Sequence, residues 1–185
     1  MKRCVLFAVS LLACIALADI DTAALPPIPI HSFRPPFSTG RAGIRWWNYG
    51  GDVMVYQDFL RLTPDAKSKN GFIWNKNPLS IKDWEVRVSM RIDGTGRLGG
   101  DGVAFWYAAE PGVLGKAFGS KEQWKGLGVF VDTFDNDGKR DNPYISVVVN
   151  DGTKTYSSAT DAKDIELGGC RASVRKADSA TVLRV

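Results

Sequence analysis

The sequence predicts an all-β sandwich or barrel, and three observations carry that prediction. Short apolar runs recur along the 185 residues, separated by turns rich in Gly, Asn and Asp. Several of these runs alternate apolar and polar side chains, the pattern of a strand with one buried face. No stretch sustains apolar residues at helical spacing, and no internal repeat is present.

The chain begins "MKRCVLFAVSLLACIALADI". Lys2 and Arg3 give a positive start, Val5 to Leu17 an apolar core of about 13 residues, and Ala16-Leu17-Ala18 a small-x-small cleavage site. Residues 1–18 therefore read as a secretory signal peptide, since the apolar run falls short of the roughly 20 residues a membrane span needs. Cleavage before Asp19 removes Cys4 and Cys14, leaves Cys170, and lowers the net charge of +4 by two. In an oxidising compartment a lone thiol calls for a partner chain, a reactive role or further sequence. No second stretch is long and apolar enough to cross a membrane, so the mature chain as it stands is expected in a secretory lumen or outside the cell.

Residues 19–30 form a proline-containing, extended lead-in, and a single domain is expected over 31–185. Within it, "DVMVYQDFLRLT" alternates and stops before Pro64, and "NGFIWNK" is a brief aromatic run. "DWEVRVSMRIDG" places Trp84, Val86, Val88, Met90 and Ile92 on one face, with Glu85, Arg87, Ser89 and Arg91 on the other. "DGVAFWYAAE" and "GLGVFVDTF" are continuous apolar runs, as in strands buried on both faces. "YISVVVNDGTKTYSS" sets Asn150-Asp151-Gly152 between two strand-like segments, a hairpin signal. "CRASVRKA" and the closing "TVLRV" alternate again, and the last reads as a strand that stops early.

Basic and acidic residues are interleaved, with no Lys/Arg block of the kind that tracks a phosphate backbone, so nucleic acid is not an expected partner. Nucleophilic catalysis has little to stand on. His31, the one histidine, lies near the proline-rich lead-in, and no Gly-x-Ser-x-Gly elbow is present.

The distinctive chemistry lies in "GVFVDTFDNDGKRDNP". Here Asp132, Asp135, Asn136, Asp137, Asp141 and Asn142 follow a strand-like run within a dozen residues. Hard cations such as calcium take six to eight oxygens from carboxylates, amides and carbonyls, and a cation would offset the repulsion among these acids. The spacing is not that of an EF-hand, and Asp, Asn and Gly are also ordinary turn residues. Asp161, beyond the Asn150 turn, is expected to reach the same end of the sandwich. Asp101 sits among glycines just before a buried run, where it serves either as a turn residue or as an acceptor for ligand hydroxyls. Asp83 and Glu85, two apart, share a strand face and could supply the carboxylate pair of a glycoside hydrolase; plain solvated acids are the simpler reading.

Four stretches carry a family resemblance: "RLTPDAKSKNGFIWNK", "DWEVRVSMRIDGTGRLGGDGVAFWY", "FGSKEQWKGLGVFVDTFDNDGK" and "NPYISVVVNDGTKTY". Over roughly His31 to Val185 the chain resembles the L-type lectins of the early secretory pathway, mannose-binding cargo receptors that cycle between endoplasmic reticulum, intermediate compartment and Golgi. The resemblance implies a concanavalin-like jelly-roll β-sandwich, here incomplete at its C-terminus, and a calcium-dependent lectin that is not an enzyme. By position, the calcium ligands are Asp132, the backbone carbonyl of Phe134, Asn136 and Asp161. Asp135, Asp137 and Asn142 resemble a second calcium site, and Ser68, Asp101, Asn136 and Ser158 line the sugar site.

The implied partners are high-mannose glycans on glycoprotein cargo, with self-association left open. Two departures stand out. Where the family carries a sugar-contacting histidine after Tyr-Asp, this chain reads Tyr156-Ser157-Ser158. The family also continues past the last residue with further strands, a glycine-rich sugar-pocket loop, a stalk, a transmembrane helix and a sorting tail. Membrane attachment is accordingly expected only through a segment absent here, and the family counterpart of Cys170 pairs with a cysteine beyond Val185. Two alternatives remain: a lectin-like module that has lost sugar binding and works through protein contacts, and a hydrolase on the same fold using Asp83 and Glu85.

Overall fold

The computed structural model describes residues 26–37 and 43–185; the signal segment at 1–18 and the first part of the lead-in lie outside them. Among these described residues, ten strands account for nearly all the regular structure. They are β1 (Trp47–Gly51), β2 (Met54–Val55), β3 (Leu60–Arg61), β4 (Gly71–Asn75), β5 (Arg87–Met90), β6 (Gly102–Ala108), β7 (Lys125–Asp132), β8 (Tyr144–Asp151), β9 (Gly168–Arg171) and β10 (Thr181–Arg184). Short 3-10 turns occur at Pro29–His31 and Ser158–Thr160.

The two continuous apolar runs and the Tyr144 run form the centre of an antiparallel sheet ordered β6-β7-β8-β9. Their registers place Gly102 opposite Asp132, Ala104 opposite Phe130, and Phe130 opposite Ser146. Because side chains alternate along a strand, Ala104, Trp106, Phe130 and Val148 share one face. Loop residues Ala117, Phe118, Trp124, Tyr156, Ala162 and Ile165 close over that face to make the core. Phe130, 1 % exposed, is its hub, stacked on Phe118 at 5.1 Å and edge-on to Trp106 and Tyr156 at 5.2 and 5.5 Å. Val129 and Val131 point to the opposite face, where Trp84 packs on Phe105 and Tyr107 of β6 at 6.3 and 5.0 Å. Trp84 leads into β5, so the β5–β10 pair belongs to the second layer.

Several sequence expectations are corrected in detail. The run around residues 52–63 is not one strand; it folds back as the β2–β3 hairpin. Asn150-Asp151-Gly152 does turn the chain, but no second strand follows. The buried Asn150 instead accepts the amides of Gly152 and Lys154 and donates to the Lys154 carbonyl at 2.7 Å, and Tyr156 then turns into the core. β1 forms in "WNYGG", whose Asn and Gly conceal it in the sequence; its pairing with β4 supplies what local preference does not.

Cys170 sits on β9, at the edge of the four-stranded sheet, and is disulfide-bonded.

Candidate cation and carbohydrate site

Strand β7 ends on Asp132, which the sheet buries to 4 % exposure. Pairing with β6 sets Asp132 beside Gly102, and Thr133 then fastens the preceding loop. Its amide donates to the Asp101 carbonyl at 3.0 Å and its hydroxyl to the Gly100 carbonyl at 2.6 Å. Gly102 has φ +125, and an added Cβ would collide with the Val131 carbonyl, so a glycine is required for Asp101 to leave the sheet here.

From Asp132 to Asn142 the chain folds around its own carboxylates. Asp132 Oδ1 accepts the Phe134 amide at 2.9 Å, Asp137 Oδ1 that of Lys139 at 2.9 Å, and Asp135 Oδ2 that of Arg140 at 3.0 Å. Asn142 Nδ2 donates to the Phe134 carbonyl at 2.9 Å. Asp161 arrives from the 3-10 turn that follows Tyr156, held in the left-handed region at φ 48. Its Oδ2 accepts the amides of Asn136 and Asp137 at 3.0 and 3.2 Å, while its Oδ1 is buried without a hydrogen-bond partner. Asp135 Oδ1, Asp141 Oδ1 and Asn142 Oδ1 are likewise buried and unpartnered.

Burial pushes the Asp132 carboxyl up to about 7, and the nearby Asp161 and Asp101 charges add to the effect. Asp161 is raised first by burial, with Asp137 and Asp135 contributing repulsion. The Tyr156 phenol is raised too, by burial and then by the Asp132, Asp161 and Asp101 charges. Five carboxylates meet two ammonium groups: Lys139 lies 2.7 Å from Asp137, and Lys163 lies 3.3 Å from Asp141. Lys163 also caps the Tyr144 ring at 2.8 Å from its centroid.

Oxygens of Asp135, Asp137 and Asp161 lie within 4.8 Å of one another. Ligands on opposite sides of one calcium ion stand about 5 Å apart, given bonds of about 2.3–2.6 Å, so the three can share a divalent ion. The unpartnered Asp161 and Asp135 oxygens fit that role, since a buried carboxylate oxygen without a donor is costly unless a cation meets it. The structure thus brings Asp132, Phe134, Asn136 and Asp161 into one constellation with Asp135, Asp137 and Asn142. It associates Asp161 more closely with the Asp135–Asp137 pair than the position-by-position transfer implied, with Asp132 on the inner side.

Asp101 stands at the rim, exposed, tied to the cluster through Thr133. Ser158 is exposed at the start of the 3-10 turn, three residues before Asp161. Ser68 lies in an exposed loop at φ 57, tied on one side through Asp65 to Thr95 and on the other through Lys69 and Asn70 to Asp52. The sequence reading missed Thr133, Asp65 and the ligand capacity of Asp141; only Asp141 was signalled, as a member of the acid-rich stretch. The Asp83/Glu85 alternative fails on geometry. Glu85 is occupied by Arg87 at 2.5 Å and by Arg184 at 2.6 and 2.7 Å, an ion-paired carboxylate rather than a poised acid or base.

The sequence pattern of the legume-like lectin family matches residues 29–185. The chain is 42 % identical over 160 residues to the human vesicular integral-membrane protein VIP36, covering 84 % of this chain and 45 % of that protein. It is 38 % identical over 146 residues to human protein ERGIC-53, covering 78 % and 29 % respectively. The chain thus spans about half the length, or less, of these relatives. Among solved structures, the Ca2+-bound form of the VIP36 exoplasmic/lumenal domain superposes with a TM-score of 0.79 at 41 % identity, over 85 % of this chain and 67 % of that one. A Ca2+/Man2-bound form of the same domain gives a TM-score of 0.79 at 41 % identity, over 85 % and 65 %. The fold is their β-sandwich. This chain belongs to the legume-like lectin family.

Proposed function

We propose that the chain is a calcium-dependent lectin that binds high-mannose glycans on glycoprotein cargo moving from endoplasmic reticulum to Golgi. The observation that carries the reading is Asp161: one carboxylate oxygen organises the Asn136–Asp137 backbone while the other is buried, unpartnered and aimed among further carboxylates. Similar domains solved with Ca2+ and with Man2 support both the choice of ion and the sugar.

In this reading Asp132, the Phe134 carbonyl, Asn136 and Asp161 hold one calcium ion, and Asp135, Asp137 and Asn142 take part in a second. A bound ion supplies positive charge that neutralises the acids and fixes the loop. Asn136 then presents its amide to the sugar, Asp101 accepts from sugar hydroxyls, and Ser68 and Ser158 offer hydroxyls at the rim. Shallow sites of this kind rely on multivalent display for useful avidity. Residence in the secretory lumen is supported by the signal-like leader and by the similarity to a vesicular integral-membrane protein, VIP36. No helix among the described residues is long and apolar enough to cross a membrane.

A glycan array probed with the chain in calcium, then in excess chelator, tests the reading. Retention on high-mannose spots in calcium and release on chelation is expected. Retention unaffected by the chelator contradicts the calcium dependence, whereas no spot bound contradicts sugar binding and favours the protein-contact alternative, to which the short Ser158 side chain lends weight.

A further inference from the structure

The loop that delivers Asp101 has no regular structure of its own, and Leu98 within it is 78 % exposed, so apolar packing does little to fix it. What holds it comes from far away in the chain. Arg175 donates from Nη1 to the Arg97 carbonyl at 3.0 Å and from Nη2 to the Gly96 and Leu98 carbonyls at 2.9 and 3.1 Å. Lys176 adds a bond to the Gly96 carbonyl at 3.0 Å. Ile92 bridges to Arg175, and the Lys176 amide donates to the Ile92 carbonyl at 2.9 Å, so the arginine is itself anchored at the start of the loop it grips. A guanidinium carries five N–H donors in a rigid plane and suits such a cluster of carbonyls; an ammonium does not.

The other side of the clamp is Asp65. One of its carboxylate oxygens accepts both the amide and the hydroxyl of Thr95, each at 2.8 Å, and these bonds, helped by the Arg175 and Lys176 charges, hold its carboxyl below the usual range. Ser68 lies three residues past Asp65, and Asp101 three residues past Leu98. The two loops that carry sugar-site residues are therefore joined to each other and to the 175–176 segment, while Thr133 pins the far end of the Asp101 loop to the cation loop.

We infer that Arg175 is a positioning residue of the carbohydrate site, which fixes the Asp101 loop, and through Asp65 the Ser68 loop, in sugar-binding geometry without touching ion or sugar. This rests on the lectin reading. Arg175 serves backbone carbonyls, so its effect is on preorganisation: an unclamped loop must be ordered at the moment of binding, and affinity falls accordingly.

The test compares the natural chain with Arg175→Met, Arg175→Lys and Asp65→Asn in three measurements. These are hydrogen–deuterium exchange at residues 94–101, calcium titration, and binding to a high-mannose surface. In Arg175→Met, exchange over 94–101 rises severalfold and glycan affinity falls by about five- to tenfold, while calcium affinity stays within about twofold. Arg175→Lys restores only a small part, and Asp65→Asn reproduces the exchange effect should Arg175→Met not fold. Unchanged exchange in both Arg175→Met and Asp65→Asn overturns the clamp. Faster exchange with unchanged glycan affinity overturns its role in sugar binding, and equal losses of calcium and glycan affinity reduce Arg175 to general stability. Absence of glycan binding by the natural chain overturns the lectin reading instead, and exchange alone then decides whether the clamp exists.

Discussion

Asp161 crosses 25 residues of sequence to accept the Asn136 backbone amide at 3.0 Å, with its second carboxylate oxygen buried and unpartnered. One side chain thus does two things: it shapes the acidic loop, and it leaves an oxygen facing other carboxylates. The two roles separate by substitution. Asp161→Asn keeps an oxygen for the amides and loses the charge, whereas Asp161→Ala loses both. Calcium affinity is expected to fall at least tenfold in each. In metal-free protein the alanine variant should also lose stability, on the order of 2–4 kcal/mol for the two bonds to a charged acceptor. Denaturant unfolding in chelator checks this, and equal stability of the two variants contradicts the shaping role.

The raised Asp132 carboxyl makes stability pH-dependent in a stated direction. Its folded value of about 7 lies above the ordinary 3.8, so between about pH 4 and 7 the folded metal-free chain holds a proton the unfolded chain has released. Stability from this group therefore falls as pH rises through that window, by up to a few kcal/mol. Asp161, also raised, acts in the same direction, while Asp52 and Asp65, held low by their partners, lose their contribution only below about pH 4. The quantity to read is thus the difference between the natural chain and Asp132→Asn. The variant should gain on the natural chain as pH rises from 4 to 7.5 in chelator; a flat difference contradicts the assignment. Calcium affinity should run oppositely, falling in acid as the ligands take protons.

Ser158 is exposed at the first position of its turn, so a larger side chain meets little obstruction there. A histidine at this position would add an imidazole nitrogen for a sugar hydroxyl, and such a bond nets about 0.5–1.5 kcal/mol. Ser158→His is therefore expected to raise high-mannose affinity by up to about tenfold with calcium affinity little changed. Equal glycan affinity in the two forms shows that serine suffices.

Gly102 offers a test of how β6 delivers Asp101. Ala at φ +125 would be strained and would press on the Val131 carbonyl. Gly102→Ala should destabilise the domain by more than about 1 kcal/mol and weaken glycan and calcium binding together, because the added Cβ presses on Val131 and Asp132 of β7 as well as shifting Asp101. Thermal unfolding with parallel ligand titrations checks both parts.

What could be read from the sequence follows the range of the interactions. β6 and β7 were evident as continuous apolar runs, "GVAFWY" and "GVFV", and β8 as the apolar arm before the Asn150 turn; burial on both faces holds at the 128–132 end of β7, whereas Tyr107 and Val149 leave one face of β6 and of β8 partly open. The acidic loop was evident because six Asp and Asn side chains crowd one turn. Its closure by Asp161 was visible only as a nearby acid, since what places Asp161 is the burial of Tyr156 and the 3-10 turn behind it. β1 was hidden because β4 supplies its pairing. The Arg175 and Asp65 clamp was invisible: its bonds run to backbone carbonyls and amides up to 79 residues distant, and backbone groups leave no mark on the sequence.

The central claim is that the acids gathered around Asp161 form a calcium site that organises a sugar-binding surface. Isothermal titration of calcium into chelator-treated chain tests it most directly. Saturable binding is expected that weakens at least about tenfold in Asp161→Ala and Asp132→Ala alike and that releases protons at about pH 6.5. Absence of saturable binding by the natural chain, or equal affinity in the natural chain and both variants, would contradict it.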